Sequence, residues 1–245
     1  MKRIDWTIWL GIFVGLTAII AGAWFEGLNL SFLWHPTASL IVGGGTLGAV
    51  IIRRGVGGIT GALKAVWNLR LKDDGEDAHK VELARLAWLA RSAQTKGVKA
   101  FESYADSSTD VLIAQGLILL ADNTNSEKIK HTLTQRLDWE DEQGLQDAAT
   151  LEAAGGFAPT FGILGAVIGL IGVLRVLDRP ELLGVGIAGA FVATIYGIGS
   201  ANLLFFPLAE RLRSRHETMM KRREEIAAVI IALSANEKPK AIINQ

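Results

Sequence analysis

Residues 153–174 read AAGGFAPTFGILGAVIGLIGVL, twenty-two residues without a single Asp, Glu, Lys or Arg. A run of roughly 20 such residues is long enough to carry a helix across a hydrocarbon core of about 30 Å. Three more windows share the property: 182–209, 27–52 and 6–25. All fifty charged side chains of the 245-residue chain, twenty-five basic and twenty-five acidic, therefore lie outside these windows. The zero net charge is an average over a polar protein and an uncharged one, and an ordinary soluble enzyme domain is excluded. The reading is an all-α membrane protein with four transmembrane helices. A signal-peptide reading of the first window, prompted by Lys2, Arg3 and the small-x-small run Ala21-Gly22-Ala23, is disfavoured by its length.

Working outward, the basic residues set the orientation. Lys2 and Arg3 precede the first span, Arg53, Arg54 and Lys64 follow the second, and Arg211, Arg213, Arg215, Lys221, Arg222 and Arg223 follow the fourth. Since basic residues mark the cytoplasmic side, both termini and the stretch between spans two and three are expected in the cytoplasm. Trp6, Trp9, Trp24 and Trp34 suit interfacial anchoring. The expected layout is spans one and two over 1–54, a helical cytoplasmic domain over 55–152, spans three and four over 153–209, and a charged C-terminal helix and tail over 210–245, frayed from Asn236. Within 55–152, Leu83, Leu86, Ala87 and Ala90, and again Ile129, Leu133 and Leu137, recur at helical spacing. Thr109 and Ser126 are the expected helix N-caps.

Nineteen of the twenty-seven glycines fall inside the four windows, so they serve membrane packing rather than loops. Gly162, Gly165, Gly169 and Gly172 recur along the third span, and Gly189, Ala193, Gly197 and Ala201 along the fourth. Small residues let helix backbones approach closely in lipid. Tight packing within one bundle and a smooth wall for another helix are both compatible with that pattern.

The third and fourth spans also carry Thr160, Thr194, Tyr196, Ser200 and Asn202, but no ionisable residue other than the tyrosine. Intramembrane acids are kept mainly where ions or protons pass, so if the chain moves ions the titrating group must come from a partner. Pro159 and Pro207 each remove one helical amide, from the carbonyls of Gly155 and Leu203. Ser200 has no histidine within reach in its own or a neighbouring uncharged window except His35 near the outer end of span two, so hydrolase chemistry is not supported. His79, His131 and His216 are too scattered for a metal site, and no cofactor is implied.

The stretch Ala158-Pro159-Thr160-Phe161-Gly162-Ile163-Leu164-Gly165-Ala166-Val167-Ile168-Gly169-Leu170-Ile171 resembles the third-helix signature of the flagellar motor stator A subunits, the MotA/PomA family of the wider MotA/TolQ/ExbB proton channels. The run from Phe191 to Leu203, followed by Phe206-Pro207-Leu208-Ala209, resembles the fourth helix. Ala21 to Gly27 and Gly43 to Gly48 fit the same family. The resemblance covers the whole chain, strongly in the spans and weakly in the cytoplasmic domain.

It implies a stator ring in the bacterial inner membrane. Five A subunits would surround the single spans of two MotB-like B subunits, whose intramembrane Asp carries the ion, and the cytoplasmic domain would push on the rotor switch protein FliG. By the same resemblance Thr194, Ala166 and Tyr196 are expected on the ion path, and Pro159 and Pro207 couple ion passage to motion. Gly162, Gly165, Gly169, Ala193 and Gly197 are expected to contact the B-subunit helix. Sodium-driven relatives carry threonine where Ala166 stands, so protons are the expected ion. Arg91, Lys96, Lys99 and Glu102 are the candidates for rotor contact, although Ser103 follows Glu102 where relatives often carry a basic residue. The ExbB and TolQ energisers are the runner-up, disfavoured by four spans and the long segment between spans two and three. Defence-system relatives and a passive scaffold are further alternatives.

Overall fold

A computed structural model describes residues 5–27, 30–71 and 75–235, and among them side chains are described except at 30, 32, 94–96, 180–182 and 185. The chain is all-helical, and four of its helices are long and apolar enough to cross a membrane. In chain order these elements are α1 (Thr7–Phe25), a 3₁₀ turn (Leu30–Leu33), α2 (Pro36–Ser39), a π-helical turn (Leu40–Gly44), α3 (Gly45–Leu69), α4 (Gly75–Lys96), α5 (Lys99–Ser107), α6 (Val111–Ala121), α7 (Ser126–Gly144), α8 (Gln146–Leu174), α9 (Pro180–Ser200), a second π turn (Ala201–Phe205) and α10 (Phe206–Ser234). The tail from Asn236 lies outside the described residues.

Contacts divide the chain into two compact units, residues 1–72 with 145–213 and residues 73–144 with 214–245. The membrane unit therefore includes the basic arm after span two and the whole of α8, with the roughly two turns that precede its uncharged stretch, and the last boundary falls inside α10. The arm is helical but separate in direction from the span. Gly55, with φ 69° and ψ 172°, interrupts α3 just past the end of the uncharged window.

In the membrane unit α8 is the central helix, packed on α9 along one side and on span two along the other. The Phe161 ring lies where a side chain at Gly45 would be, and Ile41 lies against Gly165. Helix α1 buries none of its residues. In the other unit, Leu86, Leu89, Leu112, Leu117, Ile129, Leu133 and Ile230 are fully buried. Each such side chain contributes about 1.5–3 kcal/mol of hydrophobic stabilisation, and α4, α5, α6, α7 and α10 all supply residues to that core.

Both expected N-caps are off by one. Asp110, not Thr109, caps α6, its carboxylate accepting from the amides of Leu112 at 2.9 Å and Ile113 at 3.4 Å. Asn125, not Ser126, accepts from the Glu127 amide at 2.9 Å. In each case two adjacent residues had cap chemistry, and the one whose oxygen reaches the second or third amide of the helix takes the role.

Candidate functional site

The four glycines and alanine of the third and fourth spans meet one another. A Cβ placed on Gly197 would lie 2.5 Å from the Ala158 carbonyl oxygen and 3.1 Å from the Cα atoms of both Pro159 and Gly162. One placed on Gly162 would lie 2.9 Å from the Ala193 carbonyl oxygen and 3.4 Å from Thr194 Cα. Farther along, Gly165 faces Ala193 Cβ and Gly169 faces Ala190, each at 2.9 Å from the added carbon. Backbone thus meets backbone at Gly162, Gly169 and Gly197, and the Ala193 methyl fills the space at Gly165. Gly162, Gly165, Gly169, Ala193 and Gly197, the residues expected against a partner helix, meet one another across the α8–α9 contact inside the chain. Ile163, Leu164 and Val167 of α8 and Ile195 and Ile198 of α9 remain exposed.

The two prolines differ in setting. Pro159 is half-buried in the middle of α8, which continues through it. Beside it Thr160 donates to the Phe157 carbonyl at 2.7 Å, and the Phe206 ring covers Gly155, whose carbonyl Pro159 leaves without its helical donor. Pro207 is exposed and is the second residue of α10, directly after the π turn in which the Phe206 amide donates to the Ala201 carbonyl. The π turn joins α9 and α10 into one helix from Gly186 to Ser234, so Pro207, like Pro159, removes an amide from a helix interior.

Thr194 and Ala166 are both half-buried, one on each helix of the seam. Tyr196 ties two helices together. Its hydroxyl donates to the Leu33 carbonyl and accepts from the His35 amide at 3.3 Å, clasping α9 to the start of span two. His35 in turn caps α2 through Nδ1 at 3.4 Å and packs its ring on Gly189. The remaining polar groups bond locally: Ser200 donates to the Gly197 carbonyl at 3.1 Å and Asn202 to that of Ile198 at 2.9 Å. Among the described residues, neither α8 from Ala153 to Leu174 nor α9 from Gly186 to Ser200 carries a carboxylate or a basic side chain, and the His35 ring on Gly189 comes from span two. The first ion pair at the basic end of the seam is Arg213 with Glu152.

In the other unit, Gly97 has φ +71° and turns the chain from α4 into α5. Phe101 is buried while Lys99 and Glu102 face outward, lining a shallow polar pocket with Ser103, Asp106 and Ser107. Arg91 is exposed on α4, and the side chain of Lys96 lies outside those described. Sequence reasoning missed two features here. Arg223 donates to Asp110 at 2.8 and 3.2 Å and to Glu140, which also accepts from Arg136 at 2.8 Å. His216, buried, lies 2.9 Å from Asp141. Burial would raise the Asp110 carboxyl, but the hydrogen bonds and charge of Arg223 outweigh it, and its pKa falls below the usual value. Only the position of Asp110 before an apolar run carried a signal of this network.

This architecture has close relatives. Motility protein A of Bacillus subtilis is 29% identical over 238 residues, covering 97% of this chain and 88% of that protein. The chemotaxis protein PomA of Vibrio alginolyticus is 27% identical, covering 95% and 90%. The structure of the flagellar MotAB stator complex from Bacillus subtilis superposes with a TM-score of 0.82 at 29% identity, over 97% of this chain and 93% of that one. Residues 104–225, which include both helices of the seam, match the model of the MotA/TolQ/ExbB proton channel family. The four-span fold and the full-length likeness to motility A proteins agree with the glycine seam and the missing carboxylate: the chain belongs to the MotA/PomA branch of the MotA/TolQ/ExbB proton channel family.

Proposed function

We infer that the chain is the A subunit of a flagellar motor stator, which converts ion flow through a complex with a B subunit into torque. The observation that carries this reading is the pairing of a rigid α8–α9 seam with the absence of any acid or base in it. Such a seam lies beside an ion path without carrying the ion, so an aspartate on a MotB-like single-span partner completes it. The assembly would contain five A and two B subunits, with both termini on the cytoplasmic side of the inner membrane. The ion is the proton, because Ala166 offers no oxygen where a hard cation would seek one. Thr194 and Ala166 border the path, and Pro159 and Pro207 couple it to the cytoplasmic unit. Arg91, Lys99, Glu102 and Lys96 are the candidates to meet FliG.

The test is complementation. The chain expressed with its B subunit in a cell lacking stators restores swimming, and swimming speed follows the proton gradient at fixed sodium. Sodium-dependent swimming at fixed pH would overturn the ion assignment. Failure with every B subunit encoded in the same genome would overturn the stator reading.

A further inference from the structure

His35 sits at the end of span two farthest from the basic arm, where two helices are tied together. Its Nδ1 accepts from the Ala38 amide at 3.4 Å, which caps the helical stretch that starts at Pro36 and runs through the π turn into α3. Its own amide donates to the Tyr196 hydroxyl at 3.3 Å, and that hydroxyl donates to the Leu33 carbonyl. The ring lies against Gly189 of α9, where an added Cβ would stand 2.6 Å from Nε2. One residue thus starts span two and holds it to α9.

We propose that His35 is a pH-responsive latch: as the neutral ring it closes span two onto α9, and a proton from that side of the membrane releases it. The sign follows from the role of each nitrogen. A backbone amide is a donor only, so Nδ1 meets Ala38 with its lone pair and the ring proton is on Nε2. Protonation places an N–H on Nδ1 as well, and two donors then face each other. It also places a positive charge at the positive end of a helix dipole. Both effects favour the neutral ring in the closed arrangement, so closure holds at higher pH and weakens as pH falls. Turning the ring away takes it off Gly189, and moving the His35 backbone pulls on the bond to Tyr196; either loosens the tie.

Protons have access, since Trp34, Pro36 and Thr37 on either side of His35 are exposed. Among the described side chains, Tyr196 is the titratable group bonded to His35, and the Ser39 hydroxyl donates to its carbonyl at 3.3 Å. The charged side chains described at this end are Glu26 after α1 and Arg175, Asp178 and Arg179 after α8. Arg179 is paired with Asp178 at 3.8 Å, and none of the four bonds to the ring. By the orientation proposed above, this end faces the periplasm, so the latch answers to the side from which protons enter.

The sequence contains no cysteine, so a pair of cysteines introduced at the exposed positions Thr37 and Ile187 can carry spin labels that report the distance from the start of span two to α9. The full-length chain is purified with its B subunit, with labelled subunits diluted among unlabelled ones, and the distance distribution is measured from about pH 8 to about pH 5, the range in which histidine changes charge. One short distance is expected at the upper end. On acidification a longer component should grow relative to it by roughly twofold to thirtyfold, the effect of losing an N-cap. His35→Asn supplies a cap oxygen that does not protonate and should keep the short distance throughout; His35→Ser takes its place should the Asn variant not assemble. A wild-type distance that does not respond to pH, or a cap variant that responds as strongly as wild type, overturns the proposal. The readout is a distance and not swimming, so its failure is distinct from failure of the stator reading.

Discussion

Replacing Gly197 by alanine adds one carbon in a place where three backbone atoms already stand. Its Cβ would lie 2.5 Å from the Ala158 carbonyl oxygen, with the Cα atoms of Gly162 and Pro159 at 3.1 Å. Carbon and carbonyl oxygen normally approach to about 3.3–3.6 Å, so α8 and α9 must separate by about 1 Å. Backbone cannot escape by changing rotamer, and overpacking of this kind typically costs about 1–3 kcal/mol. Against it stands the helix preference for alanine over glycine, about 0.5–1 kcal/mol. Gly199→Ala is the control, since it makes the same gain on the same helix and its Cβ meets nothing within 4 Å. The difference between the two variants isolates the seam and is expected at about 1–3 kcal/mol. Thermal unfolding of the purified complex in detergent, followed by tryptophan fluorescence, reads it. Gly199→Ala should melt at or above the wild type and Gly197→Ala clearly below. Equal melting of the two variants, or a more stable Gly197→Ala, would refute the claim that the seam is closed by backbone contact.

Thr194→Ala, Pro159→Leu and Pro207→Leu should each leave assembly with the B subunit intact while lowering torque in a tethered-cell assay. The two proline variants combined should lower it by less than the product of their separate effects, because Phe206, which precedes Pro207, packs on Gly155, whose carbonyl Pro159 leaves free. Tyr196→Phe removes the clasp on Leu33 and His35 and should destabilise the membrane unit by about 1–3 kcal/mol, the cost of stranding those groups, with a lower melting temperature as the readout. Arg223→Met strands Asp110 and Glu140, whose side chains are 31% and 13% exposed. The cost should fall at or below the low end of the roughly 3–5 kcal/mol seen for broken buried pairs. Because the Asp110 pKa is lowered in the folded chain, its contribution is fully present above the unfolded value of about 3.9 and is lost as pH falls through the lower folded value. Helix content measured by circular dichroism should therefore fall less steeply below about pH 4 in Asp110→Asn than in wild type.

What the sequence disclosed followed from physics that acts locally. Twenty uncharged residues specify a spanning helix whatever surrounds them, so the four windows locate the spans without tertiary information. The helical spacing of Leu83, Leu86, Ile129 and Leu133 anticipated side chains that do lie in or against one core. The glycine stripe was legible as a close contact but not as a contact with a particular neighbour, because a residue without a side chain does not name its partner. The bonds of Tyr196 were hidden for a related reason. A tyrosine in a span reads as a polar group near a path, and only the fold brings the Leu33 carbonyl and His35 amide to its hydroxyl from 163 and 161 residues away. The Arg223, Asp110 and Glu140 cluster likewise joins residues 30 to 113 positions apart in sequence, whose pairing only the fold brings about.

The seam also changes what the prolines have in common. In sequence they are two separated interruptions, each the loss of one amide. In the fold Pro159 Cα stands 3.1 Å from the carbon that Gly197 lacks, and Thr194 Cα stands 3.4 Å from the one that Gly162 lacks. Four residues before Pro159, Gly155 has its carbonyl freed and its face covered by Phe206, the residue that precedes Pro207. The contacts from Thr194 to Pro207 are thus continuous. Most of them are backbone contacts, which have no rotamers in which to absorb a displacement. Contiguity is not coupling, and coupling requires an element with two arrangements. The π turn at Ala201–Phe205 is the natural place for one, since its Phe206 amide already bonds one residue farther back than an α-helix allows. A one-residue change of hydrogen-bond register there would rotate everything that follows in α10 relative to the seam, and Pro207, with no amide to lose, would not oppose it.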